Sequence, residues 1–144
     1  RGAGGKPYVP SHPEFHFSIS HSGNLVLCAV SAREIGADIE KKRAYSARLA
    51  QRYFEKETDW EPEPGRLWVL KESYGKMRGI GLQALERVSL QREESGEISA
   101  WEEGCRTEAA FWSTQELDGC FAAICCEGRE PLQMQLQRCN FEEW

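Results

Sequence analysis

A chain of 144 residues with 28% charged and 40% hydrophobic residues has the size and composition of one compact domain, which excludes disorder and collagen-like repeats. Eighteen Lys plus Arg against twenty-three Asp plus Glu leave a formal net charge of -5. No overall positive field therefore holds a nucleic acid, and any bound phosphate must be gripped locally. The longest apolar runs, such as 25–30, fall far short of the roughly 20 residues that cross a bilayer, and no signal-peptide core is present. A soluble, cytoplasmic chain with no nucleic-acid or membrane partner is expected.

The six cysteines, Cys28, Cys105, Cys120, Cys125, Cys126 and Cys139, show no C-x-x-C spacing, so free buried thiols are expected rather than disulfides or zinc. The chain opens on Arg1 and the turn-rich Gly2-Ala3-Gly4-Gly5. That start reads as internal.

In chain order, Phe15, Phe17 and Ile19 alternate with polar neighbours at period two and predict a half-buried strand. The turn Ser20-His21-Ser22-Gly23-Asn24 joins it to a second strand, Leu25–Val30, as a hairpin. A third strand runs from Glu34 to Glu40. Residues 45–57 predict a helix with Leu49, Tyr53 and Phe54 on its inner face and Arg48, Arg52 and Lys56 outside. Trp60-Glu61-Pro62-Glu63-Pro64-Gly65 breaks it. A second helix, Arg66–Arg78, stops at Gly79-Ile80-Gly81. Four antiparallel strands then follow, at 87–92, 97–101, 107–114 and 120–126, the last two joined by the hairpin turn Asp118-Gly119. The expected fold class is α+β, an antiparallel sheet with two main helices packed on it, in a single domain over 1–144. Residues 1–33 form a leader and hairpin, and residues 34–144 the main body.

The chemistry concentrates in two elements. In the strand Ile35-Gly36-Ala37-Asp38-Ile39-Glu40, Gly36, Asp38 and Glu40 share one face, and the glycine leaves room for close approach by a ligand. Two adjacent carboxylates repel unless a cation lies between them, although a plain solvated face has the same pattern. In the second helix, Leu67, Leu70, Tyr74 and Met77 form a core stripe, and Trp68, Glu72 and Lys76 line another face. An ordinary Glu-Lys surface pair stays open as the alternative. If Glu72 faces Asp38 and Glu40, three carboxylates converge, a hard-oxygen set suited to Mg²⁺ shared with a substrate pyrophosphate. Upstream, Gly5-Lys6-Pro7 and Ser20-His21-Ser22-Gly23 supply a cation, hydroxyls, an imidazole and free amides for phosphate.

Taken in order, Gly5-Lys6-Pro7, Phe17-Ser18-Ile19-Ser20-His21-Ser22, the G-x-D-x-E strand and Trp68-Val69-Leu70-Lys71-Glu72-Ser73-Tyr74-Gly75-Lys76 resemble the 4′-phosphopantetheinyl transferase superfamily. The likeness is to its larger, surfactin-type class. The resemblance implies one half of that class's two-fold-repeated architecture plus a preceding hairpin. It implies transfer of the 4′-phosphopantetheine arm from coenzyme A to a serine of an apo acyl or peptidyl carrier protein, releasing adenosine 3′,5′-bisphosphate. By the same resemblance, Asp38, Glu40 and Glu72 hold Mg²⁺, with Mn²⁺ as a substitute. Lys6, Pro7, Ser20, His21 and Lys71 contact coenzyme A; Lys76 binds it and neutralises the leaving group. Glu72, acting directly or through a metal-bound water, is the candidate general base, and Arg48, Arg52 and Lys56 are docking groups for the acidic carrier. The class has an N-terminal half that this chain largely lacks, so an uncovered sheet edge and apolar face are expected. That half would come from a longer protein, another chain or self-association. The competing reading is a non-catalytic carrier-protein or nucleotide-binding domain, or a fragment inactive without its other half.

Overall fold

The computed structural model describes residues 5–57 and 63–140, apart from the Gln115 side chain. The fold is α+β. A hairpin of β1 (His16–Ser22) and β2 (Leu25–Ser31) precedes β3 (Ile35–Lys41). Helix α1 (Ala47–Phe54) runs into a single 3₁₀ turn at Glu55–Glu57, and α2 (Pro64–Arg78) is the long helix. A 3₁₀ turn and the short α3 (Ala84–Arg87) lead to β4 (Val88–Arg92), β5 (Ile98–Glu102), β6 (Cys105–Arg106), β7 (Ala109–Leu117) and β8 (Cys120–Glu127). The central sheet has the order β3-β8-β7, and a smaller sheet the order β4-β5-β6, all antiparallel.

Local chemistry sets the boundaries. The Ser46 hydroxyl caps α1 by accepting from the Leu49 N–H at 3.2 Å. Pro64 opens α2, where its missing N–H costs nothing, and Gly79 closes it in the left-handed conformation at φ 71°. Asp118 and Gly119 both have positive φ, the geometry of a two-residue hairpin turn. The helix-breaking segment expected at Trp60–Gly65 falls partly outside the described residues; α2 begins within it, at Pro64.

The hairpin faces the opposite way from the expectation. Ser18 and Ser20 are buried, while Ile19 is 52% exposed and Phe15 44% exposed. The register sets Ser18 opposite Ala29 and Ser20 opposite Leu27, so the inner face carries serines on β1 and aliphatic side chains on β2. The outer face pairs Phe17 with Val30 and Ile19 with Cys28, and Val26 and Val30 are more than half exposed. Serine wins the inner positions because β1 lies along an open strand edge whose backbone amides need acceptors. The Ala37, Ile39 and Lys41 N–H groups donate to the hydroxyls of Ser18, Ser20 and Ser22 at 2.9, 3.3 and 2.9 Å. On the same side, Leu27 and Ala29 pack against Ile35, Ala37 and Ile39. All six cysteines are free, but only Cys120, Cys125 and Cys126 are buried, so burial was expected for too many of them.

Helix α2 covers the other face of the central sheet. Its expected core stripe, Leu67, Leu70, Tyr74 and Met77, is buried with Phe121, Ala123 and Cys125. Gly36 is not a gap for a ligand, as the sequence suggested. A Cβ built there would lie 1.9 Å from the Ser73 carbonyl oxygen and 2.4 Å from the Met77 nitrogen, so the helix backbone fills that space. Gly75 serves the same purpose on the far side, where a Cβ would stand 2.4 Å from the Gly81 carbonyl oxygen.

Lys71 corrects a second expectation. It is 1% exposed, and its ammonium donates to the Tyr53 carbonyl at 2.6 Å and the Leu85 carbonyl at 3.3 Å. The Glu57 carboxylate stands 3.0 Å away and also accepts from the Leu90 N–H at 2.9 Å. With its donors committed in the core, Lys71 is a strut between α1, α2 and β4 rather than a coenzyme contact. Burial holds its ammonium below the usual lysine range, against the pull of Glu57.

Two stability outcomes follow, read by urea denaturation. Gly36→Ala should cost at least about 3 kcal/mol, the upper end of ordinary overpacking, because backbone rather than a yielding side chain blocks the new methyl. Lys71→Met should cost about 3–5 kcal/mol by stranding the Glu57 charge, and Lys71→Met with Glu57→Leu should recover much of that loss.

Candidate functional site

The close packing of α2 on β3 brings the two chemical motifs together. Asp38 is 4% exposed, and its Oδ1 accepts from the Ser20 hydroxyl at 2.8 Å and the Lys76 ammonium at 2.7 Å. Its Oδ2 is buried without a hydrogen-bond partner among the described residues. The same holds for Glu72 Oε1. Two carboxylate oxygens are thus desolvated and unsatisfied beside one ammonium, an arrangement that costs stability unless a ligand completes it.

The electrostatics agree. Burial drives the Glu72 carboxyl up to about 7, and the Asp38 and Glu40 charges add to the rise while Lys76 opposes it. Asp38 is raised above its ordinary value by burial, against Lys76 and Ser20. Glu40, partly exposed, is raised by burial and then by Asp38, with Arg43, Lys76 and His21 pulling it down. The Asp38 charge is thus felt at both Glu40 and Glu72, and that of Glu40 at Glu72. The three acids do not close into a ready-made cage: among the described residues no group of three or more His, Cys, Asp or Glu stands at metal-binding spacing. The donor set, hard oxygens with two bare lone-pair sites, nevertheless fits a small divalent cation that keeps several waters.

Around this centre, Gly5, Lys6 and Pro7 face Gly75 and Lys76 across a cleft of about 220 Å³. Lys6 also reaches a neighbouring cavity of about 450 Å³, with Tyr8, Phe15 and His16 in its wall. The Lys6 ammonium is engaged with the Glu34 carboxylate and with the Met77 carbonyl at 3.0 Å, so an incoming phosphate would displace Glu34. His21 is exposed at the hairpin tip, where it lines neither cleft, though its charge is felt at Glu40. Ser20, expected on a phosphate, is turned inward: its hydrogen is given to Asp38 and it accepts the Ile39 N–H.

Of the expected docking cations, Arg52 pairs with Glu86 at 2.6 Å and Lys56 donates to the Glu86 carbonyl at 3.2 Å, while Arg48 is exposed. Sequence reasoning missed a platform beside the acids. The Arg43 guanidinium lies 4.9 Å from the Tyr45 ring centre and 5.6 Å from that of Trp68, a cation–π arrangement. The basic run Lys41-Lys42-Arg43 immediately after the acidic strand was the available signal.

A family model described as the 4′-phosphopantetheinyl transferase superfamily matches residues 34–126. The chain is 31% identical over 153 aligned residues to the 4′-phosphopantetheinyl transferase Sfp of Bacillus subtilis strain 168, covering 96% of this chain and 66% of that protein. It is 37% identical over 109 residues to another Bacillus subtilis 4′-phosphopantetheinyl transferase, covering 66% and 47%. To the 4′-phosphopantetheinyl transferase HetI of Nostoc sp. strain PCC 7120 it is 34% identical over 129 residues, covering 78% and 52%. The chain thus spans from about half to just under two thirds of the length of these relatives. With both the acidic strand and the Glu72–Lys76 turn of α2 inside the matched region, the chain belongs to the 4′-phosphopantetheinyl transferase superfamily.

Proposed function

We propose that this chain carries the metal and phosphate centre of an enzyme that moves the 4′-phosphopantetheine arm of coenzyme A onto a serine of an apo acyl or peptidyl carrier protein. The observation that carries this reading is the pair of buried, unpartnered oxygens, Asp38 Oδ2 and Glu72 Oε1, set against Lys76. Asp38, Glu40 and Glu72 would hold Mg²⁺, or Mn²⁺ in its place. That ion, when bound, offsets the negative charge of the coenzyme's pyrophosphate.

The chain's own residues supply the rest. Phosphoryl transfer asks mainly for positioning and charge neutralisation. The carrier serine oxygen bonds to the phosphorus of the pantetheine phosphate while the bond from that phosphorus to the bridging oxygen breaks. Adenosine 3′,5′-bisphosphate departs with the bridging oxygen's electrons. Glu72, on the helix face turned toward Asp38, is the group that accepts the serine proton, directly or through a water. Lys76 neutralises the leaving phosphate, and Lys6 and Pro7 line the cleft that takes coenzyme A, while His21, at the exposed hairpin tip, stands outside that cleft. Carrier docking falls to Arg48 and the rim of α1. The apolar outer face of the hairpin, with Ile19, Val26 and Val30 more than half exposed, is the surface for the polypeptide that the relatives have and this chain does not match. The cytoplasm, where coenzyme A and carrier proteins meet, is the proposed compartment; among the described residues no helix is long and apolar enough to cross a membrane.

The test is mass spectrometry of an apo carrier protein incubated with the chain, coenzyme A and Mg²⁺, with and without the N-terminal segment of a relative added as a separate polypeptide. The carrier should gain one phosphopantetheine. Glu72→Gln should still bind coenzyme A while losing turnover by about 10²–10⁴-fold, the usual worth of a general base. Carrier or nucleotide binding without transfer in every combination would replace the enzyme with a binding domain.

A further inference from the structure

The serines that fasten the hairpin to β3 are not equivalent. Each hydroxyl accepts one backbone N–H from the strand edge, from Ala37, Ile39 and Lys41 in turn. Each takes the place that a neighbouring strand's carbonyl would fill. A carbonyl has no hydrogen to give, whereas a hydroxyl keeps its own. Among the described residues, only Ser20 of the three spends that hydrogen on a side chain, and it spends it on Asp38 Oδ1 at 2.8 Å.

This contact decides which way the carboxylate faces. The two oxygens of an aspartate are chemically alike and exchange by rotation about one soft torsion. Here Ser20 and Lys76 converge on the same oxygen, at 2.8 and 2.7 Å, in a side chain 4% exposed. Oδ1 is filled by two donors and Oδ2 has none. Lys76 alone would not fix this choice, because it lies on a long stem that is 31% exposed and free to follow either oxygen. Ser20 sits on a strand stitched at three points to the strand that carries Asp38, and has no such freedom.

We infer that Ser20 is a positioning residue for Asp38: it pins Oδ1 and so turns the bare Oδ2 toward the divalent cation. This rests on the reading of Asp38 as a cation ligand. It also makes the hairpin part of the cation site, since a hairpin lifted from β3 withdraws the hydrogen that orients the carboxylate.

The test is the affinity of the chain for Mn²⁺ alone, followed by electron paramagnetic resonance of the free ion, in the wild type and in Ser20→Ala, Ser18→Ala and Asp38→Asn. Ser18 is the matched control, because it holds the same edge at 2.9 Å and gives no hydrogen to Asp38. Ser20→Ala should weaken Mn²⁺ roughly 10- to 100-fold, the usual effect of losing a group that orients a metal ligand, with Ser18→Ala close to wild type and Asp38→Asn weakest. If Ser20→Ala is unfolded by circular dichroism, Ser20→Cys, with a thiol that donates only weakly, takes its place and the same loss is expected. Equal affinities for the Ser20 and Ser18 variants, with Asp38→Asn still defective, overturn the positioning role and leave the cation site standing. An Asp38→Asn variant that binds Mn²⁺ as the wild type does overturns both.

Discussion

The structure turns on how near α2 lies to β3. At Gly36 the helix backbone occupies the place of a side chain, with the Ser73 carbonyl 1.9 Å from where a Cβ would be, so the two elements meet main chain to main chain. Glu72 adjoins Ser73, and Lys76 adjoins Met77, the other backbone contact. Asp38 lies two residues along β3 on the same face. The contact that excludes a side chain at one position therefore fixes the acid, the lysine and the strand carboxylate at the next. A helix held off by an ordinary side chain would leave these groups farther apart and closer to water.

Such close approach leaves α2 with few solvent-facing positions, and its polar side chains must be satisfied inside. Lys71 does this with Glu57 and two carbonyls. Tyr74 does it by donating to Glu102 at 2.7 Å, which together with burial raises its hydroxyl to about 12. Buried pairs of this kind contribute little net stability, but they penalise any rotation or slide that separates them. A helix tied in this way on its core side has one rotational setting. Its Trp68-Glu72-Lys76 face is thus presented at a fixed angle.

The parts of this arrangement that were legible in the sequence are those set by periodicity. The period-two pattern assigned Asp38 and Glu40 to one face of β3, and the apolar cluster of Ile35, Ala37 and Ile39 takes the other; the helical period separated Leu67, Leu70, Tyr74 and Met77 from Trp68, Glu72 and Lys76, in agreement with the burial. The hairpin misled because its inner face is chosen by hydrogen-bonding demand at a strand edge, not by hydrophobicity. Phe15, Phe17 and Ile19 carried the pattern of an inward face, yet Ser18 and Ser20 took it. Lys71 misled for a related reason. Its partner Glu57 and the Tyr53 and Leu85 carbonyls come from segments on either side of α2 in the sequence, and no local pattern announces their meeting. Gly36 was read as ligand space when it marks helix space, because a missing side chain does not say what approaches it.

The acids themselves argue for a bound cation on energetic grounds. Burial raises the proton affinity of Asp38, Glu40 and Glu72, and Asp38 adds to the rise at the other two, so all three are held where ionisation is disfavoured. Against them Lys76 supplies one positive charge within 2.7 Å. One ammonium balances one carboxylate, and it satisfies one oxygen of Asp38 while Asp38 Oδ2 and Glu72 Oε1 go without. An apolar side chain at either position would relieve that repulsion and leave no oxygen stranded. Folding alone gives no reason to keep the carboxylates. On the proposed reading, a dication held by Asp38, Glu40 and Glu72 would supply the missing charge. Lys76, which shares a cleft with Lys6, would then be freer to meet a phosphate there.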